Sequence, residues 1–153
     1  MRCFAQFDLS GQHAALVARA EALVPSFAAR AARYDAENIP QKEDFDDLRK
    51  AGLLPATVLE KFGGLGLGYT DSRDPLPLWL ITKTLARADL ALARNWENHV
   101  NMVETLCVIG NEEQQEGVRQ NLARGQAGPQ DLVPLNDLVD AALEQIWVDR
   151  TAL

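Results

Sequence analysis

One helical stripe near the start of the chain constrains the fold more than any other feature of the sequence. Between residues 11 and 35, apolar side chains recur at steps of four, three, four, four and three residues, which is the period of one helix face. They are Leu16, Ala20, Leu23, Phe27, Ala31 and Tyr34. Pro25 removes one backbone donor, but the stripe keeps its phase, so we predict one kinked helix. The pair Ile39-Pro40 should end it, because a residue before proline avoids the helical region.

Helical signals continue along the rest of the chain. The further predicted helices are 41–51, a third that ends near Arg87, 89–109, 112–124 and, in the tail, 136–147. Gly52 should end the second helix in a Schellman-type turn, while Asp89 and Asn111 should cap the fourth and fifth helices. No segment alternates with a period of two, so the sequence predicts an all-α helical bundle.

Composition and charge exclude several classes of protein. The 153 residues carry 15 Lys and Arg against 22 Asp and Glu, a net charge of −7. This balance argues against nucleic-acid binding, which needs clustered cations. Cys3 and Cys107 are too few for a disulfide framework, which favours a reducing compartment. Apolar runs fall far short of the ~20 residues that span a bilayer, and the first ten residues lack the apolar segment of a signal peptide. We therefore expect a cytoplasmic protein with no membrane segment.

A glycine cluster at residues 63–68 invites comparison with phosphate-binding loops. A dinucleotide-binding fingerprint needs glycine at a third position, but Gly64 and Gly66 are followed by Tyr69 at that position. The following residues 70–75 do not resemble the first turns of a helix that would hold a pyrophosphate. We therefore interpret the cluster as a tight turn that needs positive φ angles, with nucleotide binding as the weaker alternative.

The candidate chemical residues are few. His99 has no Glu-x-x-His partner and no second histidine one turn away, so no metal site is predicted. We interpret His99 as a hydrogen-bonded histidine at the edge of the core, beside Trp96. Cys107 lies on an apolar helical stripe, which is typical of an inert buried thiol. None of the three serines lies in a nucleophile elbow.

Several short motifs follow one another in a fixed order. They are residues 35–40 (DAENIP), 48–54 (LRKAGLL), 60–66 (EKFGGLG), 85–89 (LARAD) with His99, and 110–115 (GNEEQQ). Together they resemble the N-terminal helical domain of the acyl-CoA dehydrogenase family over about residues 14–125. Residues 93–101 (ARNWENHVN) are closer to the divergent branch that includes flavin monooxygenases.

The resemblance implies a flavoenzyme of three parts, in which this helical domain forms one wall of an acyl pocket. In the family, a β-domain and a C-terminal bundle carry most of the FAD site and the glutamate that removes the α-proton, while the β-hydride passes to FAD. No serine follows Ser72, so the family's Gly-Ser-Asp loop has no counterpart. We expect residues 1–125 to form the helical domain and residues 126–153 a divergent tail. The chain is expected to be a truncated form with no catalytic, metal-binding or cofactor-binding residue and no FAD of its own.

Position along the family motif assigns the ligand contacts to Asn95, Trp96, His99 and Met102. Two functions remain open. The chain is either a truncated, inactive relative of enzymes that oxidise acyl-CoA CH–CH bonds, or a helical interaction module. As a module it would associate with itself or with a full-length dehydrogenase-like partner. We expect the fourth helix to leave an apolar face, which the tail helix or a second copy would cover.

Overall fold

The computed structural model describes residue 9, residues 11–68 and residues 75–123. The helices are α1 Gly11–Glu37, α2 Lys42–Lys50, α3 Leu76–Ala88, α4 Leu90–Ile109 and α5 Glu112–Ala123, with a 3₁₀ turn at Glu60–Phe62. No strand occurs within these ranges, so the all-α prediction is confirmed. The predicted tail helix over 136–147 lies outside the described residues. None of the helices described is long and apolar enough to cross a membrane.

The first helix continues through its proline as a single element. Pro25 lies inside α1, on its exposed side, while Phe27 and Tyr34 point into the core. The unbroken phase of the apolar stripe predicted this continuity. α1 packs along α3, and the short α2 also lies against α1. The helices α3, α4 and α5 then pack in sequence, each on the next.

Helix ends follow the local signals in the sequence. Gly52 adopts a left-handed φ of 69°, and the Leu53 amide donates to the Leu48 carbonyl at 3.0 Å, as a Schellman turn requires. Asp89 Oδ1 caps α4 by accepting from the amides of Ala91 and Leu92 at 2.8 and 3.2 Å. These two predicted ends are confirmed.

Two further ends are closed by side chains or backbone within a few residues. At the start of α5, Asn111 and Gln114 form a reciprocal capping box, in which each side chain accepts from the other residue's amide. The end of α1 has a cause that the sequence analysis missed. Asn38 takes a left-handed φ of 49°, and the Ile39 amide reaches back to the Tyr34 carbonyl at 3.2 Å. Asparagine tolerates this conformation, so α1 ends in its own αL turn before Pro40.

The core has a large and a small part. The large part joins α1, α2, α3 and the first half of α4 around Phe27, Phe45, Ile81, Leu85 and Trp96, none more than 1% exposed. The small part joins the second half of α4 to α5 and the glycine-rich loop, and comprises Val58, Val103, Leu106, Cys107 and Val118. Together the two parts bury one side of α4 along its whole length and leave its other side exposed.

Candidate functional site

Trp96 and His99, two of the four predicted contact residues, are core residues of the domain. The Trp96 side chain is 0% exposed, and its indole Nε1 donates to Thr82 Oγ1 on α3 at 3.1 Å. A buried indole N–H needs such a partner. Trp96 therefore links α4 to α3, and its side chain has no surface on which a ligand could lie in this conformation.

His99 lies beneath Trp96, also with 0% of its surface exposed. Its ring meets Phe45 edge-on with centroids 6.4 Å apart, and its Nε2 is 3.1 Å from the Leu54 carbonyl oxygen. A carbonyl only accepts, so Nε2 carries the proton and Nδ1 is bare. Burial lowers the pKa of His99, which keeps the ring neutral. The interpretation of His99 as a hydrogen-bonded core histidine is confirmed.

The other two predicted residues lie apart from this pair. Asn95 is half-buried and its amide donates to Gln41 Oε1 at 2.8 Å, which ties α4 to the start of α2. Met102 is half-buried against the small core. The four residues thus contact three different neighbourhoods rather than one shared cavity, and their assignment to an acyl pocket stays a prediction.

The apolar stripe of α4 is buried. Leu92, Trp96, His99 and Val103 are all 0% exposed, and they pack with residues of α1, α3 and the loop after α2. The expected covering of α4 by the tail helix or by a second copy stays a prediction. Exposed apolar side chains lie on a different side of the helix.

Two neighbouring grooves mark this exposed side. One, of about 320 Å³, lies between α3 and α4 and is lined by Trp79, Lys83, Glu97 and Asn101 among others. The other, of about 360 Å³, continues from Asn101 along the end of α4 to its last apolar residues, Val108 and Ile109. Trp79 is 55% exposed and Val108 54% exposed. We name this surface, comprising the two grooves, the α3/α4 face.

The residues of this face carried a weak signal in the sequence. Glu97, Asn101 and Thr105 share the polar side of the predicted α4 stripe. Trp79 falls next to Leu78 near the start of α3, and the helical spacing of Leu78, Ile81 and Leu85 places Leu78 on the buried side. Trp79 is left outside, where it lines a groove together with Asn101 on α4.

The glycine-rich loop is a packed turn. Gly63, Gly66 and Gly68 have positive φ values of 86°, 60° and 124°. The amides of residues 62–67 all donate to carbonyl groups of the same loop, for example Gly66 to Val58 at 2.8 Å and Leu65 to Pro55 at 2.9 Å. Amides that are already paired cannot hold a phosphate, so the loop does not fit the pyrophosphate of a dinucleotide. The interpretation of the glycines as turn residues is confirmed.

Two titratable groups in the core have strongly altered surroundings. Asp44 is 0% exposed, and burial raises its pKa to about 6 even though Arg30 Nε donates to its Oδ1 at 2.6 Å. Cys107 is buried in the small core, and burial raises the pKa of its thiol. A thiol with a raised pKa is a poor nucleophile, which agrees with the interpretation of Cys107 as inert. No group of three or more potential metal ligands occurs in the described parts of the chain.

The fold defines the class of protein: a small helical domain with its core between the helices, a glycine turn whose amides are hydrogen-bonded within the loop, and a grooved outer face on α3 and α4. Residues 10–126 match the family described as acyl-CoA dehydrogenase, N-terminal domain. Because this match covers well over half of the chain, the protein belongs to that family. A comparison with curated proteins and a comparison with solved structures each found no match.

Proposed function

We propose that this chain is the helical wall of an acyl-CoA dehydrogenase-like flavoenzyme, and that the α3/α4 face is where the rest of the catalytic unit docks. FAD and the catalytic carboxylate would come from polypeptide outside the described residues. The domain itself would contribute a rigid surface against which an acyl chain and the other domains are held.

The observation that carries this proposal is the apolar character of the α3/α4 face. Trp79, Val108 and Ile109 are large apolar side chains that are 39–55% exposed on adjoining helices. Water-exposed apolar groups gathered on one face are typical of a surface that another protein segment covers. Between them lie Glu97 and Asn101, whose polar groups suit the rim of such an interface.

Two features of the described residues support a binding role for this domain rather than a chemical one. The described residues contain a glycine loop that does not fit a pyrophosphate, and the deeply buried Asp44 is held by Arg30 rather than facing a groove. Neither feature fits a flavin or a catalytic base, so we assign no chemical step to these residues. Their role is to bind and to position.

The test is reconstitution with a defined partner. The full chain would be co-expressed with a polypeptide that carries the β-domain and C-terminal helical domain of an acyl-CoA dehydrogenase-like enzyme. We expect the two to co-purify and the complex to show flavin absorbance and acyl-CoA-dependent dye reduction, with butyryl-CoA and octanoyl-CoA as probes. Failure to associate with such partners, in a chain that is folded by circular dichroism, would contradict the proposal.

Matched variants make the test specific to the α3/α4 face. Trp79→Ala should weaken the complex by about 30-fold, because truncating a central interface tryptophan costs about 2 kcal/mol or more. Leu90→Ala is the control, since Leu90 is 74% exposed at the other end of α4 and outside both grooves. It should leave the affinity unchanged.

The same face also favours a second candidate function, a helical module that associates with another copy of itself. Exposed Val108 and Ile109 at the end of α4 would then meet their counterparts across a twofold axis. Light scattering on the chain alone separates the two functions. A dimer that Val108→Lys returns to a monomer supports self-association, and a monomer that binds only the flavoenzyme polypeptide supports the first proposal.

A further inference from the structure

A cavity on another part of the surface plays no part in the proposed function. It has a volume of about 280 Å³ and lies where the end of α2, the loop that follows α2 and the helix α5 come together. None of its lining residues belongs to the α3/α4 face. Its apolar lining consists of Leu54, Pro55, Val58 and Phe62.

Two arginines from different helices also line this cavity. Arg49 comes from α2 and Arg119 from α5, and their side chains are 30% and 46% exposed. Leu54 and Val58 are only 2% exposed, so the cavity has an apolar floor and an arginine rim. Each arginine pairs with a carboxylate three residues away on its own helix. Exposed pairs of this kind are weak and a guanidinium has five donors, so each arginine can bond to a further carboxylate.

The described part of the chain ends close to the cavity. Arg119 lies one helical turn, about 6 Å, before Ala123, which is the last residue of α5. Twelve residues, 124–135, separate Ala123 from the helix that the sequence predicts over 136–147. Twelve extended residues span up to roughly 40 Å. The predicted helix is therefore long enough in its connection to return to the cavity of its own chain.

The composition of the tail complements both parts of the cavity. Residues 131–149 contain five carboxylates and no Lys or Arg, which matches the arginine rim. Trp147 is the one aromatic residue of the tail, and Glu144 precedes it by three positions. On a helix, residues three apart are neighbours on one face. The predicted helix thus presents a large apolar ring beside a carboxylate.

The size of the cavity also fits this ring. A cavity of about 150 Å³ is large enough to take up benzene. The cavity between α2 and α5 has nearly twice that volume, which leaves room for the two fused rings of an indole. Tryptophan is among the residues that most often anchor an interface when they enter a pocket surrounded by polar groups.

We propose that residues 136–147 of this chain dock on the cavity between α2 and α5. The Trp147 indole lies on the apolar floor formed by Leu54 and Val58, and Glu144 bonds to an arginine of the rim. Docking ties the end of α5 to the loop that contains the glycine turn. This inference is independent of the proposed function, because the cavity and the α3/α4 face share no residue.

The experiment compares NMR spectra of the full wild-type chain with those of the full-length Trp147→Ala variant. The ring current of a docked indole shifts nearby signals, so the backbone amides of Gly52, Gly63 and Gly64 should differ between the two proteins. Changes at Trp79 and in the grooves of the α3/α4 face would overturn the proposal, because the tail would then dock elsewhere. Changes confined to the tail would also overturn it, because the tail would not be docked at all.

Charge variants test the arginine rim separately. The readout is hydrogen exchange of the Trp147 indole N–H, whose signal is identified by its loss in Trp147→Ala. Glu144→Lys places a positive charge beside the rim and should speed this exchange about fivefold, as expected for one lost exposed ion pair. Asp131→Lys is the control, since it changes the charge equally but lies outside the predicted helix. Equal exchange rates in the two variants would overturn the proposal.

Discussion

Gly64 provides the sharpest test of the view that the glycine-rich loop serves packing rather than ligand binding. A Cβ atom added at Gly64 would lie 2.1 Å from the Val58 carbonyl oxygen and 2.3 Å from the Val58 Cβ. By contrast, a Cβ at the neighbouring Gly63 meets nothing within 4 Å, although its φ is +86°. Gly64 is therefore required because there is no space for a side chain, whereas Gly63 is favoured only because of its left-handed backbone conformation.

The magnitude follows from the contacts at Val58. Ordinary contact begins near 3.4 Å, so Gly64→Ala must move two backbone segments apart by about 1.3 Å. Overpacking of this kind costs about 1–3 kcal/mol. The movement also disturbs the bonds from Gly66 to Val58 and from Gly64 to Leu59, each worth about 0.5–1.5 kcal/mol. We expect a loss of about 4 kcal/mol, a large part of the roughly 5–15 kcal/mol that stabilises a domain.

The assay is urea unfolding followed by circular dichroism. With a typical slope of about 2 kcal/mol per molar urea, Gly64→Ala should lower the midpoint by about 2 M or abolish the cooperative transition. Gly63→Ala has only the cost of a left-handed alanine, about 1–2 kcal/mol, and should lower the midpoint by about 0.5–1 M. Equal midpoints for the two variants would refute the reasoning, because the close contact at Val58 would then have no energetic consequence.

Three further predictions concern single side chains. Because the folded state holds Asp44 with a pKa of about 6 instead of 3.8, it binds that proton more tightly than the unfolded state. The free energy of unfolding should therefore fall by about 2 kcal/mol as the pH rises from about 4 to about 6.5, and Asp44→Asn should lack this slope in urea unfolding at each pH. For His99 the sign is opposite: burial lowers its pKa, so the unfolded state takes up the proton first. Stability should be lost as the pH falls below 6.5 in the wild type but not in His99→Leu, and identical pH profiles would contradict this. Asp89→Ala removes both side-chain bonds to the first amides of α4 and should cost about 1 kcal/mol in thermal or urea unfolding, while Asp89→Asn should retain most of the stability.

Local features of the fold could be predicted well from the sequence. The continuity of α1 through Pro25, the turn at Gly52 and the caps at Asp89 and Asn111 all depend on residues within about five positions of one another. Periodicity and capping chemistry act over this range, so they can be recognised without knowing what packs where. The missed αL turn at Asn38 has the same local origin, and its signal is an asparagine placed directly after the last helical turn.

The α3/α4 face could not be predicted from the sequence. The family motif directed attention to α4, but none of the four residues that it assigned to ligand contacts lines the two grooves of this face. It also selected Trp96 and His99, whose partners Thr82 and Leu54 lie 14 and 45 residues away in the chain. Contacts between residues so far apart in the chain cannot be predicted from a helical stripe, because the same apolar spacing occurs whether the stripe packs against a ligand or against a neighbouring helix.

The sequence by itself therefore determined the elements: five helices, their ends, the acidic charge and the family. The tertiary structure alone decided which segments cover the buried side of each helix and which side chains meet in one groove. The packing of α3 on α4 places Trp79 and Asn101 in one groove, and the packing of α1 near the α3–α4 junction brings Tyr34 and Asp89 to one cavity. The physical reason is range, since a helix is fixed by hydrogen bonds between residues four apart, whereas a surface or a cavity is fixed by segments that meet only after the chain has folded.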